Sequence, residues 1–201
     1  MAKLSLNKST MLRESRQLKS YERFLPSLDL KRKQLISELG KARESRRRIE
    51  QEAASLQRSV REDLPMLANY ESDLQGLVSA REARVSTENI MGALLPRLES
   101  VELDVALYGY LAKPHWVDIV VQRLSASLRL HLELEVAKRR ESVLHEAVRK
   151  ATQRVNLVEK VLIPRSRAHI KKIRIALSDE ERAAVVRSKI AKRKRAAEGL
   201  S

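Results

Sequence analysis

Cysteine is absent from this chain, which excludes disulfides and Cys-based metal sites and fits a reducing, cytosolic setting. Aromatic residues are scarce, at 3% of 201 residues, with a single Phe and a single Trp. Large aromatic side chains dominate the energetics of ordinary cores, so a compact globular core is not expected. Gly and Pro number five each while charged residues make up 33%, a mixture expected of long helices with a solvated outer face. No stretch approaches the ~18 apolar residues of a membrane span, and the N-terminus lacks the apolar segment of a signal peptide.

What the chain does carry is helical periodicity. In its last third, Leu144, Val148, Ala151, Val155, Val158 and Leu162 recur in alternating steps of four and three. A mean spacing of about 3.5 residues marks a coiled-coil seam rather than the wider face of a globular helix. The first third carries Leu4, Met11, Leu18, Leu25, Leu39, Ala53, Val60 and Leu67 at multiples of seven. Leu28, Leu35, Ala42, Ile49 and Leu56 form the companion series. Two matched seams at opposite ends of one chain predict a mainly α fold. Residues 1–70 and 116–201 form a long antiparallel two-helix coiled coil, a rod, and 71–115 a connecting head.

Inside the head, Gly92 and Pro96 bracket Ala93, Leu94 and Leu95, and Leu98, Val101, Leu103 and Val105 follow with partial alternation. That pattern predicts a short β-hairpin near 92–104, roughly 92–95 against 99–104. Helical spacing through Leu67, Leu74 and Val78 continues past a kink at Pro65 and fades over 79–89. A loop holds Tyr108, Gly109, Tyr110, Lys113 and Pro114, and the second helix begins near His115 or Trp116.

Asn7 or Ser9 can cap the first helix. Pro26 and Pro164 each interrupt a predicted helix, and an interior proline costs about 3 kcal/mol. Partners in an antiparallel pair have a constant sum of residue numbers, which places both prolines at about the same level. Each is a tolerated bend there, or both helices bend together. Arg32 and Arg46 occupy seam positions, where their stems can cover apolar surface while the guanidinium reaches water. Ser178 with Glu181 matches a capping box, which fits either a break before a last segment or a Ser within continuous helix.

The net charge of +15 is unevenly placed. Sixteen basic against nine acidic residues give +7 for 1–70, four against seven give −3 for 71–115, and twenty-one against ten give +11 for 116–201. A basic rod suggests nucleic acid, anionic lipid or an acidic protein socket as partner. From Arg187 to Arg195, six residues in nine are basic. No aromatic follows Trp116, which argues against single-strand stacking but not against duplex backbone binding. The lipid reading needs a free apolar face, and here the seam already uses it.

No catalytic, cofactor or metal site is expected. The only Gly-Lys pair, Gly40-Lys41, has Leu35 where a phosphate loop needs Gly, and Ala42 where it needs Ser or Thr. His115, His131, His145 and His169 never approach the close spacing of a ligand pair. The residues expected to meet partners are Arg187, Lys189, Lys192, Arg193, Lys194 and Arg195 in the tail, with Leu94, Leu95, Val101 and Leu103 in the hairpin.

Four blocks together resemble the D subunit of the V-type (A/V-type) rotary ATPases, in that family's order and over nearly the whole chain. They are Leu6-Asn7-Lys8-Ser9 followed by Phe24 to Ile36, which is similar to Leu-Leu-Lys-x-Lys-Arg-x-x-Leu; Asn89-Ile90-Met91-Gly92; Tyr108-Gly109 followed by Trp116-Val117-Asp118; and Arg154 to Glu159 leading to Ile163-Pro164-Arg165, the most specific. Pro26 and Lys113-Pro114-His115 depart from the pattern.

The resemblance implies a non-catalytic central-stalk rotor component, cytoplasmic and peripheral to the membrane, that transmits torque between ATP chemistry and ion translocation. It implies termini inside the ring of A and B subunits and a middle pointing towards the membrane. The F subunit of the central stalk would bind the membrane-side half of the coiled coil, and the C (or d) subunit would link to the membrane rotor ring. The competing class is a basic coiled-coil nucleic-acid-binding or scaffold protein.

Overall fold

The computed structural model describes residues 5–65, 67, 76–106 and 116–198, with side chains to 195. In order it runs α1 (Lys8–Asp63), β1 (Val78–Ile90), β2 (Ala93–Val105), α2 (Val117–Leu157), a π-helical turn (Val158–Leu162) and α3 (Ile163–Glu198). The chain is mainly helical, with long helices at both ends and a two-stranded antiparallel hairpin between them. Leu4, Leu74, His115 and the loop holding Tyr108 and Pro114 lie outside the described residues.

The start of α1 is fixed by Asn7, whose Oδ1 accepts the Thr10 backbone N–H at 2.7 Å, satisfying one of the donors orphaned at a helix start. Ser9 lies inside the helix. At its other end α1 stops at Asp63, short of the expected Tyr70. Pro65 supplies no N–H and disfavours helical geometry at the residue before it. The Leu67 N–H turns back instead to the Leu64 carbonyl at 3.1 Å, a tighter 3₁₀-type turn.

The chain divides into two compact units, 33–150 and 1–32 with 151–201. In the first, Leu35, Leu39, Ala42 and Ile49 of α1 and Leu144 of α2 are buried, as their heptad positions predict. Arg123 meets Asp63 at 3.0 Å and Arg46 meets Glu141 at 2.7 Å, so residue numbers rise along one helix as they fall along the other. The pairing is antiparallel. A second cluster joins Leu64, Leu77, Trp116, Val117, Val120 and Val121, where the single Trp closes the base of the hairpin.

The hairpin differs from the expected one. Its strands pair 78–90 with 93–105, from Val78 opposite Val105 to Ile90 opposite Ala93, rather than 92–95 with 99–104. The turn is Met91-Gly92, both with positive φ (53° and 81°), the geometry of a two-residue turn whose twist matches the flanking strands. The Gly92 N–H donates to Asn89 Oδ1 at 2.9 Å. Two register shifts, between Ala80 and Glu82 and between Arg84 and Val85, break the alternation that identifies a strand.

In the second unit, Arg167 meets Glu22 at 2.8 Å and His169 meets Glu14 at 3.3 Å, so α1 and α3 are also antiparallel. Pro26 lies four residues after Glu22 and Pro164 three before Arg167, which puts the prolines at one level. Pro26 lies within α1. Pro164 follows the π-helical turn directly, inside uninterrupted helix, where a proline removes a hydrogen bond from the ladder.

Just before Pro164, the Ile163 N–H donates to the Val158 carbonyl. The bond spans five residues, so this turn holds one residue more than an α-helical one. The phase set by Leu144, Val148, Ala151 and Val155 would bring Leu162, Arg165, His169 and Lys172 to the seam. The extra residue brings Ile163, Ser166, Ile170, Ile173 and Leu177 there instead. Ile163, Ser166 and Ile173 are buried, while Arg165 and Lys172 are exposed. The seam expected to run through Leu162 moves over by one residue.

Candidate functional site

With one narrow seam per helix pair, the candidate functional features are surfaces. The first is the distal end of α3. The helix continues through Ser178 to Glu198, so this Ser lies within continuous helix. Every residue from Glu181 to Arg195 is exposed, Val185, Val186 and Ile190 among them. At about 100° per residue, Arg187, Lys189, Lys192, Arg193, Lys194 and Arg195 spread around the whole circumference. They form a collar of positive charge rather than a one-sided stripe.

The second surface is the hairpin, where the four expected contact residues separate. Leu94 is 64% exposed, whereas its neighbour Leu95 is 0% exposed, because successive side chains in a strand point to opposite faces. Leu95 is therefore covered within the chain itself. Val101 and Leu103 are half-buried. Leu94, Val85 and Met91 are the large apolar side chains this hairpin turns outwards at its far half.

Sequence reasoning missed the charged groups that join the elements. Arg140 of α2 donates to Glu88 Oε2 on β1 at 3.0 Å and to the Pro96 carbonyl on β2 at 3.4 Å. The next residue, Glu141, accepts from Arg43 Nε at 3.1 Å and from Arg46 Nε at 2.7 Å, one α1 arginine on each oxygen. Arg46 also bonds Glu50 one turn on. This seam arginine thus serves as a bridge between helices as well as a cover for apolar surface. Burial pushes the Glu141 carboxyl up, but the hydrogen bonds and charges of Arg46 and Arg43 outweigh it and hold the group below its ordinary range. Arg32 is half-buried and paired with Asp29.

Of the histidines, His131 and His145 are exposed and His169 faces Glu14. Among the described residues, no group of three or more His, Asp or Glu side chains is placed to hold a metal. Among them, too, no helix is long and apolar enough to cross a membrane.

A family model for the D subunit of ATP synthase matches residues 10–193. The D subunit of the V-type ATP synthase of Borreliella burgdorferi is 33% identical over 192 residues, covering 96% of this chain and 95% of the relative. The protein of that name from Chlamydia felis is 30% identical over 201 residues, covering 96% and 94%. The one from Chlamydia muridarum is 32% identical over 197 residues, covering 96% of each.

Proposed function

The chain belongs to the family of ATP synthase D subunits and is a central-stalk component of a V/A-type ATPase; from that premise we propose that it is the rotor shaft. It carries torque between ATP hydrolysis or synthesis in the A/B catalytic ring and ion translocation by the membrane rotor. The observation that carries this reading is the match over residues 10–193, together with relatives that align over 96% of the chain.

In this reading the shaft is a non-catalytic component. The antiparallel pairing of α1 with α2 and α3, clamped by ion pairs between distant segments, supports a mechanical role. An all-round collar of cations on α3 suits a socket that surrounds the helix, and suits a duplex backbone poorly, since that would be met on one face. We place this collar in the A/B bore, the F subunit along the membrane-side half of the helix pair, and the C (or d) subunit towards the membrane ring. The protein then sits on the cytoplasmic side, peripheral to the membrane. Unequal side chains around the shaft bias three equivalent catalytic sites into different states, which is differential binding coupled to rotation.

The test is co-expression with the other stalk and ring proteins of the same organism. A stoichiometric complex with a small acidic α/β protein is the expected result. No complex, with a salt-dependent shift of duplex DNA by the isolated chain, would favour the nucleic-acid reading instead.

A further inference from the structure

The hairpin is attached to the helices by very little. No residue of β1 is buried, and in β2 only Ala93 and Leu95 are. These two lie on one face, and Leu95 stands opposite Glu88, whose carboxylate is gripped by Arg140. Arg140 takes the Pro96 carbonyl as well, so a single α2 side chain holds both strands beside the buried Leu95. At the other end, Leu77 is anchored in the cluster with Trp116, Leu64 and Val117. The arrangement is an arm with a packed base and, among the described residues, an ionic catch near its tip.

We propose that Arg140 is a latch, and that the hairpin exchanges between a docked position, with Ala93 and Leu95 covered, and a released one in which that apolar pair is uncovered. The ion pair is part-exposed on both sides, Arg140 at 25% and Glu88 at 45%. Its hold is therefore modest and screened by salt. A catch of that strength suits a contact that opens during use. Adjacent Glu141 is fixed to α1 by two arginines, so the helix pair stays closed while the arm moves. The latch stands whether or not the chain works as a rotor shaft.

Because the natural chain has no cysteine, one introduced thiol reports release without background. In the full-length chain, Ala93→Cys places the thiol under the docked hairpin, and Ala42→Cys places a control thiol in the buried α1 seam. Arg140→Ala is expected to speed maleimide labelling at Ala93→Cys roughly five-fold, the scale of a lost charge-assisted hydrogen bond in a part-exposed site. The control rate stays unchanged. An Ala93→Cys rate within two-fold of the parent overturns the latch. If Arg140→Ala loosens both thiols, the milder Glu88→Gln decides: selective acceleration at Ala93→Cys supports the latch, and equal or absent acceleration overturns it.

Discussion

Arg46 on α1 donates to the Glu141 carboxylate on α2 at 2.7 Å, across 95 residues of sequence. Few contacts in the first unit say as much about chain topology, since this ion pair and Arg43 to the other oxygen fix the register of two helices at one point. Replacing Glu141 with Gln keeps the shape and removes the charge that two arginines share. We expect a loss on the order of 1 kcal/mol, between the typical worth of an exposed ion pair and that of a hydrogen bond to a charged group. Urea unfolding followed by circular dichroism measures it, and an unchanged midpoint would remove the clamp from the account.

The same carboxylate gives the fold a pH dependence with a definite sign. Glu141 is held below its ordinary value of 4.5 by its arginine partners, against the upward push of burial. A group depressed in the folded state stabilises above its unfolded pKa and loses that contribution as pH falls through its folded one. Stability is therefore expected to drop as pH falls from about 5 towards 3. The drop should be shallower in Glu141→Gln. Midpoints measured across that range in both proteins decide it.

The shifted seam beyond the π-helical turn separates two adjacent apolar residues. Ile163 is 7% exposed, whereas Leu162 is only half-buried. Ile163→Ala should cost about 2–4 kcal/mol, as buried large-to-small changes do, and Leu162→Ala less than half of that. The reverse order would mean that the uninterrupted heptad, not the shifted one, describes this stretch.

These cases show what residue spacing can reveal and where it stops. Leu35, Leu39, Ala42, Ile49 and Leu144 were readable as core because each falls on a heptad in uninterrupted helix. The one-residue shift was hidden because Leu162 and Ile163 are both apolar, and only Arg165 and Lys172 further on betray it. Strand β1 reads as a fading helix because its register shifts break the period of two and its charged residues Arg81, Glu82 and Arg84 face solvent. Its turn carries only half of the Asn-Gly signal, Gly92 preceded by Met91. Arg140 and Glu88 carry no local pattern at all, since their meeting depends on tertiary structure. The exposure of the basic residues from Arg187 to Arg195 is legible from composition alone, since such a run has no apolar face to bury.

Met91 occupies a left-handed conformation, φ 53°, that unbranched side chains adopt only at a cost. Met91→Asn should stabilise the hairpin by about 0.5–1 kcal/mol, and Gly92→Ala, at φ 81°, should destabilise it by at least about 1 kcal/mol. Hydrogen exchange of the Val78–Ile90 and Ala93–Val105 amides reads both effects. If both changes move protection in the same direction, the turn geometry is not what limits the hairpin.

The distal end of α3 offers the sharpest separation of folding from function. Residues Glu181 to Arg195 are all exposed, and apolar burial, the main source of helical stability in proteins, is therefore slight there. Removing Lys189 to Ser201 takes away five of the six tail cations and, among the described residues, no buried one. The thermal midpoint of the isolated chain should move by no more than about 2 °C, since little apolar surface is withdrawn from water on that segment. If the collar bears on a surrounding ring, reconstituted vesicles carrying the shortened shaft should still hydrolyse ATP while moving fewer ions per ATP. Coupling equal to that of the full-length shaft would detach the collar from the rotor reading. A large fall in the midpoint would instead show that the segment holds the fold together.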